Sequence, residues 1–508
     1  MASSMLPGFI QGYSPNTIQV TMLLVVLYCI YAVCTSIYNG LFHPLAHFPG
    51  PLSHRVSNIP RTVYLVSGRL AFHVSNLHAK YGPVVRISPN ELAFCEPQAW
   101  QDIYGRRQPG REEFSKYLGF YRPVERKGPA SIISASRHDH TLIRRQLSPG
   151  FSDRSLRSQE PIIGVYVDLL VQRLREHGGA GDGTAALNMR EWLNWTTFDI
   201  IGDLGFGSPF GCLESSDYHP WVLTMARNIK ISTYMQALYE LGGIQLVTWI
   251  TKSGLWKSRS EQKKRVSETL VRRIELKTDR PDLIQGLLRK QDDLTFEQIS
   301  VTASTLIFAG SETTATLLSG ALFLLDRNRD KLAILTKEIR TTFYKDSEIT
   351  LSSVSCLSYM LACLNECLRM YPPVAGGLPR VVPAGGATVA GRFVPEGAVV
   401  GVWQWAINHD ERFWTDPWEF HPERFLPHEG DSRYRNDVLD AMQPFSTGPR
   451  NCIGKNLAYA EMRFILAKII FNFDLRLADD SEDWLEKQRV YFPWDKPALN
   501  VHLTPVTR

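Results

Sequence analysis

Cys452 lies in the stretch Phe445-Ser446-Thr447-Gly448-Pro449-Arg450-Asn451-Cys452-Ile453-Gly454, between two glycines and two residues after an arginine. This arrangement suits a thiolate that must face a large flat ligand yet stay shielded from oxidation. Glycines let backbone pass close to a ligand where a side chain would clash. Amide N–H groups of such a turn, and the N-terminus of the helical run that follows, stabilise negative charge on sulfur. Arg450 is placed to pair with a ligand carboxylate. A lone cysteine before a helix is otherwise a small packed hydrophobe. The flanking residues select the ligand reading.

A second set is Ala309-Gly310-Ser311-Glu312-Thr313-Thr314, inside a long apolar run. Glycine in a helix interior costs about 1 kcal/mol relative to alanine. One return for that cost is room for a flat ligand against the backbone. The Thr313 hydroxyl can bend back to a carbonyl or bond an outside group. Glu312 in that apolar setting needs water or a partner. The plainer alternative is a Gly/Thr packing notch with a solvated glutamate.

Glu366 and Arg369, three apart, share one helix face and can pair. Exposed, the pair would be worth almost nothing. Their surroundings, MLACLNECLRMY, are otherwise apolar, so the pair is expected to be buried and to need further hydrogen bonds.

The elements that must position these groups are mostly helical. Helices are expected over 140–147, 189–205 ending at glycine, 221–241, 296–325 with a break at Ala309-Gly310, 329–343, 355–371 stopped by Pro372-Pro373, and 454–472. Residues 83–94 alternate around a Pro-Asn turn and read as a hairpin. Short strands follow near 380–382, 388–390 and 398–402. The fold class is mainly α with minor β. Stretches 176–184, 277–282 and 427–436 read as loops, with no composition break or repeat that would divide the chain. One large helix-rich domain follows, although 508 residues would allow about three.

The net charge of +5 comes from basic residues scattered among acids, which argues against nucleic acid. Eight cysteines without a C-x-x-C pair make neither a disulfide framework nor a zinc site. Cys363 and Cys367 are read as packed thiols in a reducing compartment. No charged residue precedes Arg55, and residues 18–38 are mostly apolar. As a helix they would span about 30 Å, one bilayer core. A cleaved signal peptide lacks its basic n-region here, and a buried core helix is the other alternative. The retained anchor is preferred, with the main domain on the cytosolic side because Arg55 and Arg61 follow the span. The division expected is an anchor over 1–40, a proline-rich hinge over 41–60 and a catalytic domain over 61–508. The sequon at Asn194 sits in an apolar helix and is read as buried. Residues 234–250 are apolar and either dip into a membrane or form a core helix pair.

The spacing F-x-x-G-x-R-x-C-x-G, the A-G-S-E-T-T run, the E-x-x-R pair and the element Pro422-Glu423-Arg424-Phe425 together resemble the cytochrome P-450 family, from end to end of the chain. The resemblance implies the P-450 fold with haem b and Cys452 as the axial iron ligand, a thiolate that favours O–O cleavage. Phe445, Gly454 and Ala309 would flank the haem. Thr313 and Glu312 would deliver protons to dioxygen. Arg450, Arg380, Arg144 and His140, the last two matching a W/H-x-x-x-R helix, would meet the propionates. Glu366, Arg369 and Arg424 would form a folding lock. Ser131 to Ser134, Leu306, Ala309, Thr313, Val374 to Gly377 and Phe492 would surround the substrate. Details such as KYGPVVRISPNEL and WDKPALNVHLTP are similar to fungal members of secondary metabolism near the isotrichodermin hydroxylases. That implies oxidation of a hydrophobic terpenoid, polyketide or alkaloid intermediate by hydroxylation, epoxidation or related chemistry. Electrons would come from NADPH through a membrane flavoprotein reductase, docked near Arg145, Lys455 and Arg463. The location implied is the endoplasmic reticulum membrane, single-pass. The rival readings are a haem-thiolate isomerase or dehydratase and a non-catalytic membrane-bound haem protein.

Overall fold

Thr295 opens the longest helix. Its hydroxyl accepts from the Gln298 amide while the Gln298 side chain accepts from Thr295 N–H, a reciprocal cap that fixes the first turn. The helix then runs unbroken through Phe296–Arg327. The computed structural model describes residues 15–507 apart from 109, 111, 124–127, 179–184, 254–256, 277–279, 290–293 and 428–431. Parts of the three stretches read as loops fall outside the described residues.

The break expected at Ala309-Gly310 is absent, and the reason is packing. A Cβ on Gly310 would lie 2.7 Å from Ile201 Cδ1, so this glycine lets the helix Met189–Phe206 approach the central one closely. Their contact is the most extensive between any two elements described. Met189–Phe206 itself continues through Gly205 and stops at Gly207, whose left-handed φ of 73° closes the helix end. Asn194 is buried within it.

Around this pair stand Arg137–Leu147, Asp153–His177, Pro220–Glu240, Lys257–Glu275, Arg329–Thr342, Ser358–Met370 and Lys455–Asn472. The hairpin is present as Val84–Ser88 and Glu91–Phe94. It forms one edge of a five-stranded sheet that continues through Val399–Val402, Arg380–Val381 and the two-residue strand Ser115–Lys116. Three-stranded and two-stranded sheets complete a mainly helical architecture with minor β content. Cys363 and Cys367 are buried and unbridged.

The N-terminal helix Pro15–Ile37 leads into the turn Tyr38–Phe42. Ile18–Phe42 has a mean hydropathy of 2.3 and none of its most apolar window is covered by the rest of the chain, as suits a membrane anchor. Beyond it the proline-rich segment is docked against the sheet. Leu45 and Phe48 are buried, and the Arg55 guanidinium donates to the Gly40 and Ala46 carbonyls, each at 2.8 Å. In residues 234–250 Ala237 and Val247 are buried, whereas Leu241, Ile244, Leu246 and Trp249 are exposed, Trp249 to 59%.

Candidate functional site

The cysteine loop is shaped by its own backbone. Cys452 N–H donates to the Phe445 carbonyl at 2.8 Å and Asn451 N–H to the Gly448 carbonyl at 3.1 Å. Gly448 has φ 72°, and a Cβ there would lie 2.0 Å from the Tyr104 carbonyl oxygen, so glycine is required. Gly454 is different. A Cβ there would sit 3.9 Å from Cys452 Sγ, an ordinary contact, so the fold alone does not demand glycine. The Cys452 surface is open although its wider surroundings are crowded. That crowding pushes the thiol above its usual range; the Gly454 amide, Arg144 and Lys455 pull it back. Phe445 stacks at 5.2 Å from Tyr459 on the helix behind the loop.

Arg144 donates through both terminal nitrogens to Asn451, to its carbonyl and to its side-chain oxygen, each at 2.6 Å. It therefore braces the cysteine loop from the helix Arg137–Leu147. One turn earlier on that helix, His140 is buried and its imidazole is lowered to about 4 by desolvation, then by Arg450, Arg144 and Lys116. Both effects favour its neutral form.

The remaining basic residues meet from distant segments. Arg450 donates to the Ala135 carbonyl at 2.9 Å and to Glu113 at 2.7 Å. Arg380 is 4% exposed, lies over the Tyr104 ring at 5.5 Å and bonds the Phe114 carbonyl at 3.3 Å. Strand pairing sets Lys116 directly opposite Arg380. Burial, then Arg380 and Arg450, push the Lys116 ammonium well below its ordinary range. Lys116 and Tyr121 were not legible as site residues, because a two-residue strand leaves no periodic signal. Arg450 pairs with the Glu113 carboxylate, and Arg380, Arg137 and Lys116 also lie close enough to act on it. Arg380 Nε, Arg450 Nε and Tyr121 Oη are buried without partners. Lys116, Glu113 and Arg450 open onto a cavity of about 690 Å³. Unpaired buried donors and surplus positive charge are what a ligand bearing two carboxylates would satisfy.

The central helix supplies the opposing face. Most of Ile299–Asp326 is buried, yet Val301, Ser304, Thr305, Phe308, Ala309, Glu312 and Thr313 are each part-exposed. They recur at helical spacing and mark one stripe along an internal cleft. Thr313 Oγ1 donates to the Ala309 carbonyl at 2.6 Å, which leaves its oxygen able to accept from the cleft. Glu312 is ion-paired with Lys496, a buried residue that sequence reasoning missed because it lies 184 positions away.

The expected lock is present and larger than three residues. Glu366 and Arg369 are wholly buried and joined by two hydrogen bonds of 2.7 and 2.8 Å. Arg369 also donates to the carbonyls of Asn408, Pro417 and Glu419. Arg424 Nε donates to Glu366 at 3.1 Å, and its Nη1 pairs with Asp437, the second acid. Trp414 lies 5.3 Å from one guanidinium and 5.8 Å from the other. Two cations and two anions close the network, which ties the helix Ser358–Met370 to the segment preceding the cysteine loop.

Of the expected substrate-contact residues, Ser131 and Ser134 line a cavity of about 350 Å³ together with Met225, Ile229, Val301 and Thr305. Leu306 is buried, and Phe492 packs edge-on against Phe120 at 5.5 Å. These two and Val374 to Gly377 are not brought into that cavity.

The cysteine loop, the notched central helix and the buried E-x-x-R network are the features on which the resemblance to the P-450 family rests, and the comparisons agree on the family. Residues 51–501 match the cytochrome P450 family model. The chain is 48% identical to the cytochrome P450 monooxygenase tpeC of Talaromyces stipitatus, over 94% of this chain and 93% of that protein. It is 45% identical to cytochrome P450 monooxygenase 1 of Neocamarosporium betae, over 94% and 96%. It is 44% identical to the trichothecene C-15 hydroxylase of Fusarium sporotrichioides, over 94% and 96%. The chain belongs to the cytochrome P450 family and is an enzyme of its monooxygenase class, similar to members from fungal secondary metabolism.

Proposed function

We propose that this enzyme binds haem b through Cys452 and oxidises a hydrophobic intermediate of fungal secondary metabolism, a terpenoid, polyketide or alkaloid. The observation that carries this is the meeting of three independent features: the open Cys452 loop, the part-exposed stripe of the central helix, and a basic cluster short of negative charge. In this reading Arg450, Arg380, His140 and Lys116 hold the two propionates, and Arg144 fixes the loop that presents the sulfur. Bound there, the haem would supply oxygen activation, with one oxygen atom passing to substrate and the other to water. Thr313 Oγ1 would hold a proton at the cleft, and Glu312 would replace it. The apolar walls formed by Met225, Ile229 and Val301 would orient the substrate and exclude water.

Electrons would come from NADPH through a flavoprotein reductase. Exposed Arg145 and Lys455, with Arg463 over the Tyr459 ring, form a basic surface behind Cys452 that suits an acidic partner. The anchor helix and the exposed Leu52, Ile59, Val63, Ile244 and Trp249 support a domain that rests on a membrane, in this reading the cytosolic face of the endoplasmic reticulum. The acid–threonine pair favours oxygenation over isomerase or dehydratase chemistry, which has no use for proton delivery to oxygen. NADPH-dependent consumption of oxygen with substrate tests this. Turnover that needs neither NADPH nor oxygen would contradict it. The substrate is named by the precursor that accumulates when the enzyme is removed from its host.

A further inference from the structure

Glu312 does not stand free in the cleft. Lys496 Nζ donates to its Oε1 and also to Thr316 Oγ1, one turn further along, at 2.6 Å. The Lys496 side chain is 2% exposed and that of Glu312 is 16% exposed. Such a buried ion pair is no better for stability than well-packed apolar residues, so packing alone gives no reason for a lysine here. The lysine is also held from behind: Arg190 donates to the Lys496 carbonyl at 2.6 Å, and the Trp494 indole donates to the Pro372 carbonyl at 2.8 Å.

The pair forms one end of a cavity of about 200 Å³. Its other walls include Arg190, Asn194, Tyr218, Lys230 and Asp495. Lys230 and Asp495 pair at 2.9 Å with side chains 43% and 48% exposed, so this cavity runs from a solvent-facing ion pair to a buried one. It has room for about six water molecules. On its wall Asn194 donates to the Tyr218 hydroxyl at 3.1 Å.

We propose that Lys496 is a positioning residue for proton supply. It fixes the Glu312 carboxylate at the inner end of this cavity, and the cavity carries protons from bulk water to that carboxylate. The inference rests on reading Glu312 and Thr313 as the proton-delivery pair. In each cycle Glu312 takes a proton from cavity water and releases one toward the Thr313 hydroxyl. The carboxylate thus returns to its ionised form and solvent restores the cavity. The charged and titratable groups facing the pair are Arg190 on Met189–Phe206, Lys230 on Pro220–Glu240, Asp495 on the two-residue strand Trp494–Asp495, and the phenols of Tyr218 and Tyr371. Burial pushes the Lys496 ammonium below its ordinary range, and Glu312 opposes that shift.

The test uses the full-length holoenzyme with reductase and compares Lys496→Met, Lys496→Arg and Glu312→Gln. The readouts are peroxide formed per NADPH consumed, its dependence on pH, and thermal unfolding. Lys496→Met should raise the peroxide fraction by about tenfold. It should also change the pH dependence of the coupling, because the cation that faces the Glu312 carboxylate is gone. Lys496→Arg should restore both. The unfolding penalty of Lys496→Met should change when Glu312→Gln is added, as for any directly paired groups. Unchanged coupling and pH profile in Lys496→Met, beside strong uncoupling in Glu312→Gln, would overturn the proposal and leave the lysine structural. Full coupling in Glu312→Gln would instead remove the proton-delivery reading itself. If Lys496→Met fails to fold, Asn194→Leu alters the cavity wall and removes the hydrogen bond to Tyr218 without touching the Lys496–Glu312 pair. It should uncouple in the same direction, and normal coupling there would overturn the route.

Discussion

Two clusters of arginines lie within this domain, and they are built oppositely. Around Glu366 every strong donor is used: Arg369 and Arg424 reach two carboxylates and four backbone carbonyls, and none of these side chains is more than 1% exposed. Around Arg380 and Arg450 the Glu113 carboxylate faces several basic groups, with guanidinium and phenol atoms left unpartnered. A closed network holds chain to chain. An unclosed one, in which Arg450 and Glu113 are 6% and 26% exposed, is suited to bind a ligand, because buried unpaired donors are costly unless something completes them.

The difference can be broken from either side. On the closed side, Glu366→Ala strands two buried guanidinium groups, and removing one partner of a buried pair costs about 3–5 kcal/mol. Unfolded or haem-free protein is expected by thermal melting and absorbance; a stable holoprotein would show the lock to be dispensable. Asp437→Asn probes the same network from its second acid and should cost less, about 1–3 kcal/mol, because the neutral amide still accepts a hydrogen bond.

On the open side, Lys116→Met should leave the fold melting near wild type while haem is lost about tenfold faster to an excess of apomyoglobin, the loss of one charged hydrogen bond. Lys116→Arg should recover most of the retention. Equal retention in Lys116→Met would remove the lysine from the anchor set. Thr313→Ala should keep haem yet divert electrons to peroxide; fully coupled product formation would end its assigned role.

A pH-dependent effect concerns a third kind of buried ionisable group, one with no countercharge. Glu461 lies behind the cysteine loop, wholly enclosed, and burial raises its carboxyl to about 8, opposed by a hydrogen bond with Thr314. Its native value exceeds that of the unfolded chain, so its contribution to stability is full below about pH 4.5 and is lost as pH rises through 8. Glu461→Gln should therefore gain stability relative to wild type, by on the order of 4 kcal/mol at pH 8 and about 1 kcal/mol at pH 5. A gain independent of pH would contradict this.

What the sequence revealed follows the same contrast. Groups close along the chain were legible: Glu366 with Arg369, Gly448 with Cys452, the glutamate and threonine at 312 and 313. Each is set by helix or turn geometry over a few residues. Partners drawn from afar were not. Lys116 is placed by a two-residue strand, Asp437 follows a segment of short turns, and Lys496 lies on a loop pinned by Arg190. None carries a local pattern. Gly310 was noticed for a real reason, but its partner is the Ile201 side chain, which only the packed helices disclose. The docked proline-rich segment escaped notice likewise, since prolines report the end of a helix and say nothing of what Leu45 and Phe48 will cover.

The account depends on the sulfur at position 452 holding the haem iron. The most direct measurement is the absorbance difference spectrum of the reduced protein with and without carbon monoxide, for wild type and Cys452→Ala. Wild type should show the red-shifted Soret band of a thiolate-ligated haem, and the variant should lack that band while its helical circular dichroism is retained. A red-shifted band that persists in Cys452→Ala, or is missing from haem-loaded wild type, would contradict the assignment.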